Sequence, residues 1–140
     1  MAGMEALGRV FNVAPIANGA AISLKGCSGI TFVCTGADTF TLTVSSSFGG
    51  SYASPGAIIT HYYQSTATNG TAGWTRVSQA AADNVVQGGA YTTVIEVFGS
   101  MLADPNCYIK CTHSAAGLVT AITHDLTVQR KPANLAVLGA

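Results

Sequence analysis

Few residues of this chain are equipped for chemistry, and their spacing argues against most of what they suggest. His124 and Asp125 adjoin one another in a chain with many serines, which invites a Ser-His-Asp reading. On a strand, neighbouring side chains point to opposite faces, so the two are expected to diverge and to act as a pairing residue and a turn acid. His61 stands beside Tyr62 and Tyr63, where packing of the imidazole on the rings is commoner than a ligand role. Asn69-Gly70-Thr71 spells an N-glycosylation sequon, but without a secretory leader it marks only a surface turn. No G-x-S-x-G, P-loop, G-x-G-x-x-G or H-E-x-x-H pattern occurs. The expectation is no catalytic residue, no cofactor, no metal and no enzyme.

Four cysteines, Cys27, Cys34, Cys107 and Cys111, raise disulfide and zinc chemistry. On one strand Cys107 and Cys111 would lie about 13 Å apart at ~3.3 Å per residue, whereas bridged Cα atoms come within ~7 Å. No C-x-x-C occurs, and the three histidines lack metal-motif spacing. Four reduced core thiols are expected, with a long-range bridge between the two pairs left open.

The elements that must position these residues are strands, because alternation with period two dominates the chain. Ile30, Phe32 and Cys34 alternate with Thr31, Val33 and Thr35; Phe40, Leu42 and Val44 alternate with Thr39, Thr41, Thr43 and Ser45. The short Gly36-Ala37-Asp38 link predicts an antiparallel hairpin between them. Further strands are read at Ala90 to Phe98, Cys107 to Ser114 and Leu118 to Arg130. The Ala115-Ala116-Gly117 link predicts a second hairpin with Gly117 in the left-handed region, pairing Ser114 with Leu118, Cys111 with Ala121, Ile109 with Thr123 and Tyr108 with His124. One face would then carry Ile109, Cys111, Val119 and Ala121, the other Tyr108, Lys110, Leu118 and Ile122. Both are half apolar, so a second contact surface is inferred.

One helix is expected at "SQAAADNVVQGG", from an N-cap at Ser78 to a stop at Gly88-Gly89. Ser45 to Trp74 carries no acidic or basic side chain, His61 aside, yet holds five of the eleven aromatics. Its Gly- and Pro-punctuated first part reads as a loop. Asn69-Gly70 then predicts a hairpin with a type I′ turn, its rings being Tyr62, Tyr63 and Trp74. At least one of the two tyrosines must face inward; the outward rings are the candidate contact residues, for a protein interface or a sugar face.

With 140 residues, a single domain is expected. The fold class is all-β: an antiparallel β-sandwich or barrel of about eight strands with one short helix. Extended, charge-poor arms are expected at about residues 1–18 and 131–140. Charged residues are only 9% of the chain and balance to zero, against roughly 25% in a typical soluble domain; much of the exterior is therefore expected to be covered. Lipid and nucleic acid are not the expected cover. There is no ~18-residue apolar run and no basic cluster beyond Arg130-Lys131. The N-terminal sequence makes a poor leader, with Arg9 its first base and Asn12, Pro15 and Asn18 interrupting the apolar run, so folding in a reducing cytoplasm is expected.

In style the segments "ALGRVFNVAPIANGAAISLKGCSGITFVCTGADTFTLTVSSSFGGSY" and "TATNGTAGWTRVSQAAADNV" resemble the short proteins encoded among the head genes of tailed bacteriophages. The resemblance implies a virion structural protein, a capsid decoration or cement protein. Such a protein is often trimeric, is made in the host cytoplasm, sits on the capsid surface and clamps major capsid subunits alongside copies of itself. It carries over no functional residue. A glycan- or receptor-binding β module and a tail component are the alternative expectations.

Overall fold

The structure, a computed structural model, describes residues 11–126, with the backbone alone described at 11 and 12. Ten strands follow one another: β1 (Phe11–Ile16), β2 (Ile22–Ser23), β3 (Cys27–Thr35), β4 (Asp38–Ser45), β5 (Ile59–Ser65), β6 (Trp74–Ala82), β7 (Asn84–Gln87), β8 (Thr92–Phe98), β9 (Tyr108–His113) and β10 (Leu118–Leu126). They form two antiparallel sheets packed as a sandwich. The large sheet has the order β1-β10-β3-β8-β5-β6 and the small one β2-β9-β4-β7. The chain is thus a sandwich and not a closed barrel, and ten strands replace the expected eight. Part of the expected N-terminal arm, Phe11–Ile16, is a strand paired with β10; residues 1–10 and the arm at 131–140 lie outside the described residues.

The alternation read from the sequence is the alternation of the core. Ile30, Phe32 and Cys34 of β3, Ile95 and Val97 of β8, and Val119 and Ala121 of β10 project inward from the large sheet. They meet Phe40, Leu42 and Val44 of β4, Val85 of β7, and Ile109 and Cys111 of β9 from the small one. Each large apolar side chain so buried contributes about 1.5–3 kcal/mol. All four cysteines are free thiols. Cys34 and Cys111 are fully buried; the hydrogen bond with the Cys111 side chain, with burial second, pushes the Cys34 thiol far above its usual value. Burial also raises Cys27, against a smaller opposing effect of the Gly29 backbone.

The two predicted hairpins at 36–38 and 115–117 do not form. β3 and β4 belong to different sheets, as do β9 and β10, so both short links are arches that cross the core. The physical reason is that alternation cannot distinguish the two cases. In a hairpin two apolar faces lie side by side; in an arch they face one another, with the same residues inward. Cys111 therefore lies opposite Leu42, and Ala121 opposite Phe32. The face read as Ile109, Cys111, Val119 and Ala121 is buried all the same, but as two halves of the sandwich.

Asp38 locks the arches together. Its Oδ1 accepts hydrogen bonds from the Thr39 N–H (2.7 Å), the Ser114 N–H (2.8 Å) and the Ser114 hydroxyl (2.6 Å). Its Oδ2 accepts from the N–H groups of Ala115 (2.9 Å) and Gly117 (2.8 Å). The His113 Nδ1 lies 3.4 Å from Oδ2. Burial opposes ionisation of this carboxyl, but the Ser114 hydroxyl and the N–H groups of Gly117, Ser114 and Ala115 outweigh it and hold the pKa well below the usual carboxylate range. Gly36, at φ +103°, supplies the left-handed backbone of the first arch. Gly117 does not take the expected positive φ. It is glycine because a Cβ there would stand 2.8 Å from the Asp38 carboxylate and 2.9 Å from the Phe40 ring.

The expected helix from Ser78 is instead β6, a corner at Asp83, and β7. Alanine's helix preference is weak and yields to tertiary packing, and here Val85 and Gln87 must alternate into the core. The Asp83 carbonyl accepts from the Leu42 N–H (2.8 Å), tying the corner to the small sheet. The β5–β6 register shifts between Ile59 and His61, and the Gln79 amide fills the gap, donating to the carbonyls of Ile59 (3.1 Å) and Asn84 (2.9 Å). Gln87 is buried at the other end, its amide donating to the carbonyls of Gly36 and Tyr91 and accepting from the Thr93 hydroxyl.

The β5–β6 hairpin itself forms as expected, with its rings in place. Its turn is not type I′: the connection runs over residues 66–73, and only Gly70 has a positive φ. Asn69 Oδ1 instead accepts from the Thr71 N–H and hydroxyl, an Asx-turn.

Candidate interaction face

The outer face of the large sheet is built by register. Ile30, Phe32 and Cys34 face inward, so Thr31, Val33 and Thr35 face outward, and the ladder carries this orientation across all six strands. One cross-strand row runs Pro15, Thr120, Val33, Val94, Tyr63, Arg76. Another runs Leu118, Thr35, Thr92, Ser65, Trp74. Of the three rings singled out in the sequence, Tyr62 pairs with Val77 and points into the core, where it is buried. It is therefore not the contact residue expected of it. Tyr63 and Trp74 share the outer face, 45% and 57% exposed.

They do not stand alone. Among the described residues eight large apolar side chains are exposed, and Val13, Tyr63, Trp74, Phe98 and Leu118 all project from this face. Leu118 is 71% exposed. Met101, in the 3-10 turn Gly99–Met101 after β8, borders a shallow cleft on the same face with Tyr63, Val94 and Glu96. His61 lies edge-on to Tyr63, ring centroids 6.2 Å apart. Glu96 and Arg76 are the charged side chains of these six strands apart from Asp125 at the end of β10. Single exposed apolar residues need no explanation; sharing one face, they make it the candidate contact surface.

His124 and Asp125 do not diverge as expected. Asp125 has φ +53°, which turns its carboxylate back so that Oδ2 lies 2.9 Å from His124 Nδ1. Among the described residues no serine hydroxyl bonds to this imidazole. The imidazole stacks edge-on to Phe98 (5.9 Å) and lies over Gly29, where a Cβ would come within 2.6 Å of its Cε1. Its Nε2 is buried and makes no hydrogen bond among the described residues. Ser28 donates to the Asp125 carbonyl (3.4 Å), away from that nitrogen.

The opposite outer face is capped by its own loop. Lys110 Nζ sits 4.0 Å from the Tyr52 ring centroid, Lys25 Nζ lies 5.2 Å from that of Tyr108, and Phe48 meets Tyr108 edge-on at 6.0 Å. The Tyr52 hydroxyl donates to the Phe48 carbonyl (3.0 Å), and burial, with Tyr108 and Cys107 nearby, raises its pKa. The Gly- and Pro-punctuated stretch before β5 is thus the lid of the small sheet, while among the described residues no loop caps the large sheet's outer face.

The sequence reading missed Val13, Phe98, Arg76 and Glu96 as members of the face. Of the second half-apolar face inferred there, Leu118 and Ile122 lie on this face, whereas Tyr108 and Lys110 belong to the small sheet. Among the described residues no group of three or more His, Cys, Asp or Glu side chains could hold a metal ion, and no helix is long and apolar enough to cross a membrane. No protein-family model, curated protein or solved structure matches the chain.

Proposed function

We propose that this chain is a non-enzymatic virion structural protein, a capsid decoration or minor capsid protein that works by surface contact. The observation that carries the reading is the concentration of exposed apolar side chains on one face of a charge-poor sandwich. The style shared with small head proteins of tailed bacteriophages supports placing it on the major capsid shell, with copies of itself as co-partners. Mechanistically, each covered apolar Å² adds about 25 cal/mol before the ordering costs of association, and a symmetric shell repeats every such contact many times. Sedimentation with empty shells tests this. Stoichiometric retention and a raised shell melting temperature are expected; a protein left wholly in the supernatant refutes it.

A glycan- or receptor-binding module is the second reading. What favours it is Trp74 and Tyr63 standing exposed on a common face, since flat rings bury the apolar faces of sugars. Trp74→Ala should then abolish binding on a glycan array while leaving assembly intact, and an unchanged array profile counts against it.

A further inference from the structure

We infer that Cys34 and Cys111 form a site of reversible oxidation, at which a small peroxide converts two facing thiols into one disulfide that joins the two sheets through the core. The inference goes beyond the contact reading above and does not depend on it. Geometry carries it. Cys34 lies on β3 of the large sheet and Cys111 on β9 of the small one. Both are fully buried members of the same core cluster, and their side chains are hydrogen-bonded to one another. Cys27 and Cys107 are turned elsewhere, each thiol donating to a backbone carbonyl, of Leu24 (3.4 Å) and of Ser46 (3.6 Å).

The arches hold the facing pair in place. Cys34 is the last buried side chain of β3 before the first arch, and Cys111 the last of β9 before the second. Asp38, at the end of the first arch, accepts hydrogen bonds from Ser114, Ala115 and Gly117 of the second. A Cβ built on Gly36 would stand 3.3 Å from the Gly117 Cα, so the arches also touch. A disulfide, with its S–S bond of about 2.05 Å, therefore needs the sheets to close at an end where they are already tied.

The hydrogen bond with Cys111, and burial, keep the proton on the Cys34 thiol, so Cys111 is the sulfur that reacts first. Its sulfur attacks one peroxide oxygen and the O–O bond breaks. The departing oxygen takes the thiol proton and leaves as water, and Cys111 becomes a sulfenic acid. The Cys34 sulfur then attacks the Cys111 sulfur. The S–S bond forms, the S–O bond breaks, and hydroxide leaves with the Cys34 proton as a second water. Two thiols are oxidised and one peroxide is reduced to two waters. Because the partner thiol is already in contact, closure outruns attack by a second peroxide. A small peroxide, unlike a bulkier disulfide reagent, is of a size to enter during local opening of the core.

Peptide mass mapping tests the inference. The whole chain is reduced, freed of reductant, exposed to dilute hydrogen peroxide, and then denatured in iodoacetamide. A linked pair of peptides carrying Cys34 and Cys111 is expected, with Cys27 and Cys107 outside the linkage. The melting temperature should rise by about 5–10 °C. Dithiothreitol, which leaves methionine sulfoxide in place, should reverse both changes. Cys34→Ala and Cys111→Ala should each abolish the rise, read as the difference between treated and untreated protein. Should either fail to fold, the double variant Cys27→Ser with Cys107→Ser, altered only at half-buried positions, should keep both the linkage and the rise. Full alkylation of Cys34 and Cys111 after denaturation overturns the inference, as does a linkage through Cys27 or Cys107, or a melting temperature that the linkage leaves unmoved.

Discussion

Replacing Asp38 by Asn should be among the costliest polar changes in the molecule. Asparagine keeps one oxygen for the Thr39 and Ser114 donors but turns an NH2 towards the N–H groups of Ala115 and Gly117, which Oδ2 now receives at 2.9 and 2.8 Å. A buried donor left unsatisfied costs about 1–3 kcal/mol. The Ala115 N–H keeps its second bond, to Oδ1 at 3.0 Å, so Gly117 is the donor left unsatisfied and the loss is about 1–3 kcal/mol against a total stability of roughly 5–15. The sign of the pH dependence follows from the depressed pKa. The stabilisation is fully present above the unfolded carboxyl value of about 4 and is lost progressively as the pH falls through the lower folded value. Urea titrations of both proteins from pH 7 down to pH 2 check this: the gap between their midpoints should be widest at neutral pH and should narrow below about pH 4. A gap under about 0.5 kcal/mol at pH 7, or one that stays constant into acid, would refute the clamp as the source of stability.

Other outcomes follow from the same packing. Gly117→Ala should lower stability by about 1–3 kcal/mol, seen as a reduced melting temperature, since its Cβ overlaps the Asp38 carboxylate and the Phe40 ring. Phe32→Ala, at a fully buried site, should cost about 3–5 kcal/mol in the same assay. Cys34 and Cys111 should resist alkylation in the native protein while the half-buried Cys27 and Cys107 react first, as peptide mass mapping after brief iodoacetamide treatment will show. Trp74, the chain's one tryptophan, should emit at long wavelength and be quenched freely by acrylamide in dilute solution. Trp74→Ala should change stability by no more than about 0.5 kcal/mol.

Much of the fold was legible because period-two alternation reports burial directly. Phe40, Leu42 and Val44, and Ile30, Phe32 and Cys34, were read inward and are inward. Alternation says nothing, however, about which strand lies beside which. Gly36-Ala37 and Ala115-Ala116-Gly117 have the length and residue types of hairpin turns, and only Asp38, reaching 76 residues along the chain to Ser114, reveals them as arches. A single acid among apolar neighbours looked like a turn residue because its donors are backbone N–H groups, which leave no mark in a sequence. The helix misread at Ser78 has a related cause: Gln79 replaces missing ladder bonds with its side chain, a role its identity does not announce. Of the candidate face, Tyr63 and Trp74 were legible from ring content and alternation. Arg76 and Glu96 were not, since their sharing of one face depends on β5 lying between β6 and β8.

The strand order also governs when the molecule can come into being. Among the described residues, β5 and β6 are the one pair of sequence neighbours that lie side by side; β3 sits between β8 and β10, and β1 pairs with β10 alone. A nascent chain that has emerged as far as β9 therefore still lacks the strand that joins its first segment to its third, and local contacts cannot substitute. The large sheet is complete only once Leu118 to Leu126 is free of the ribosome. A fragment released earlier lacks the strand that joins β1 to β3.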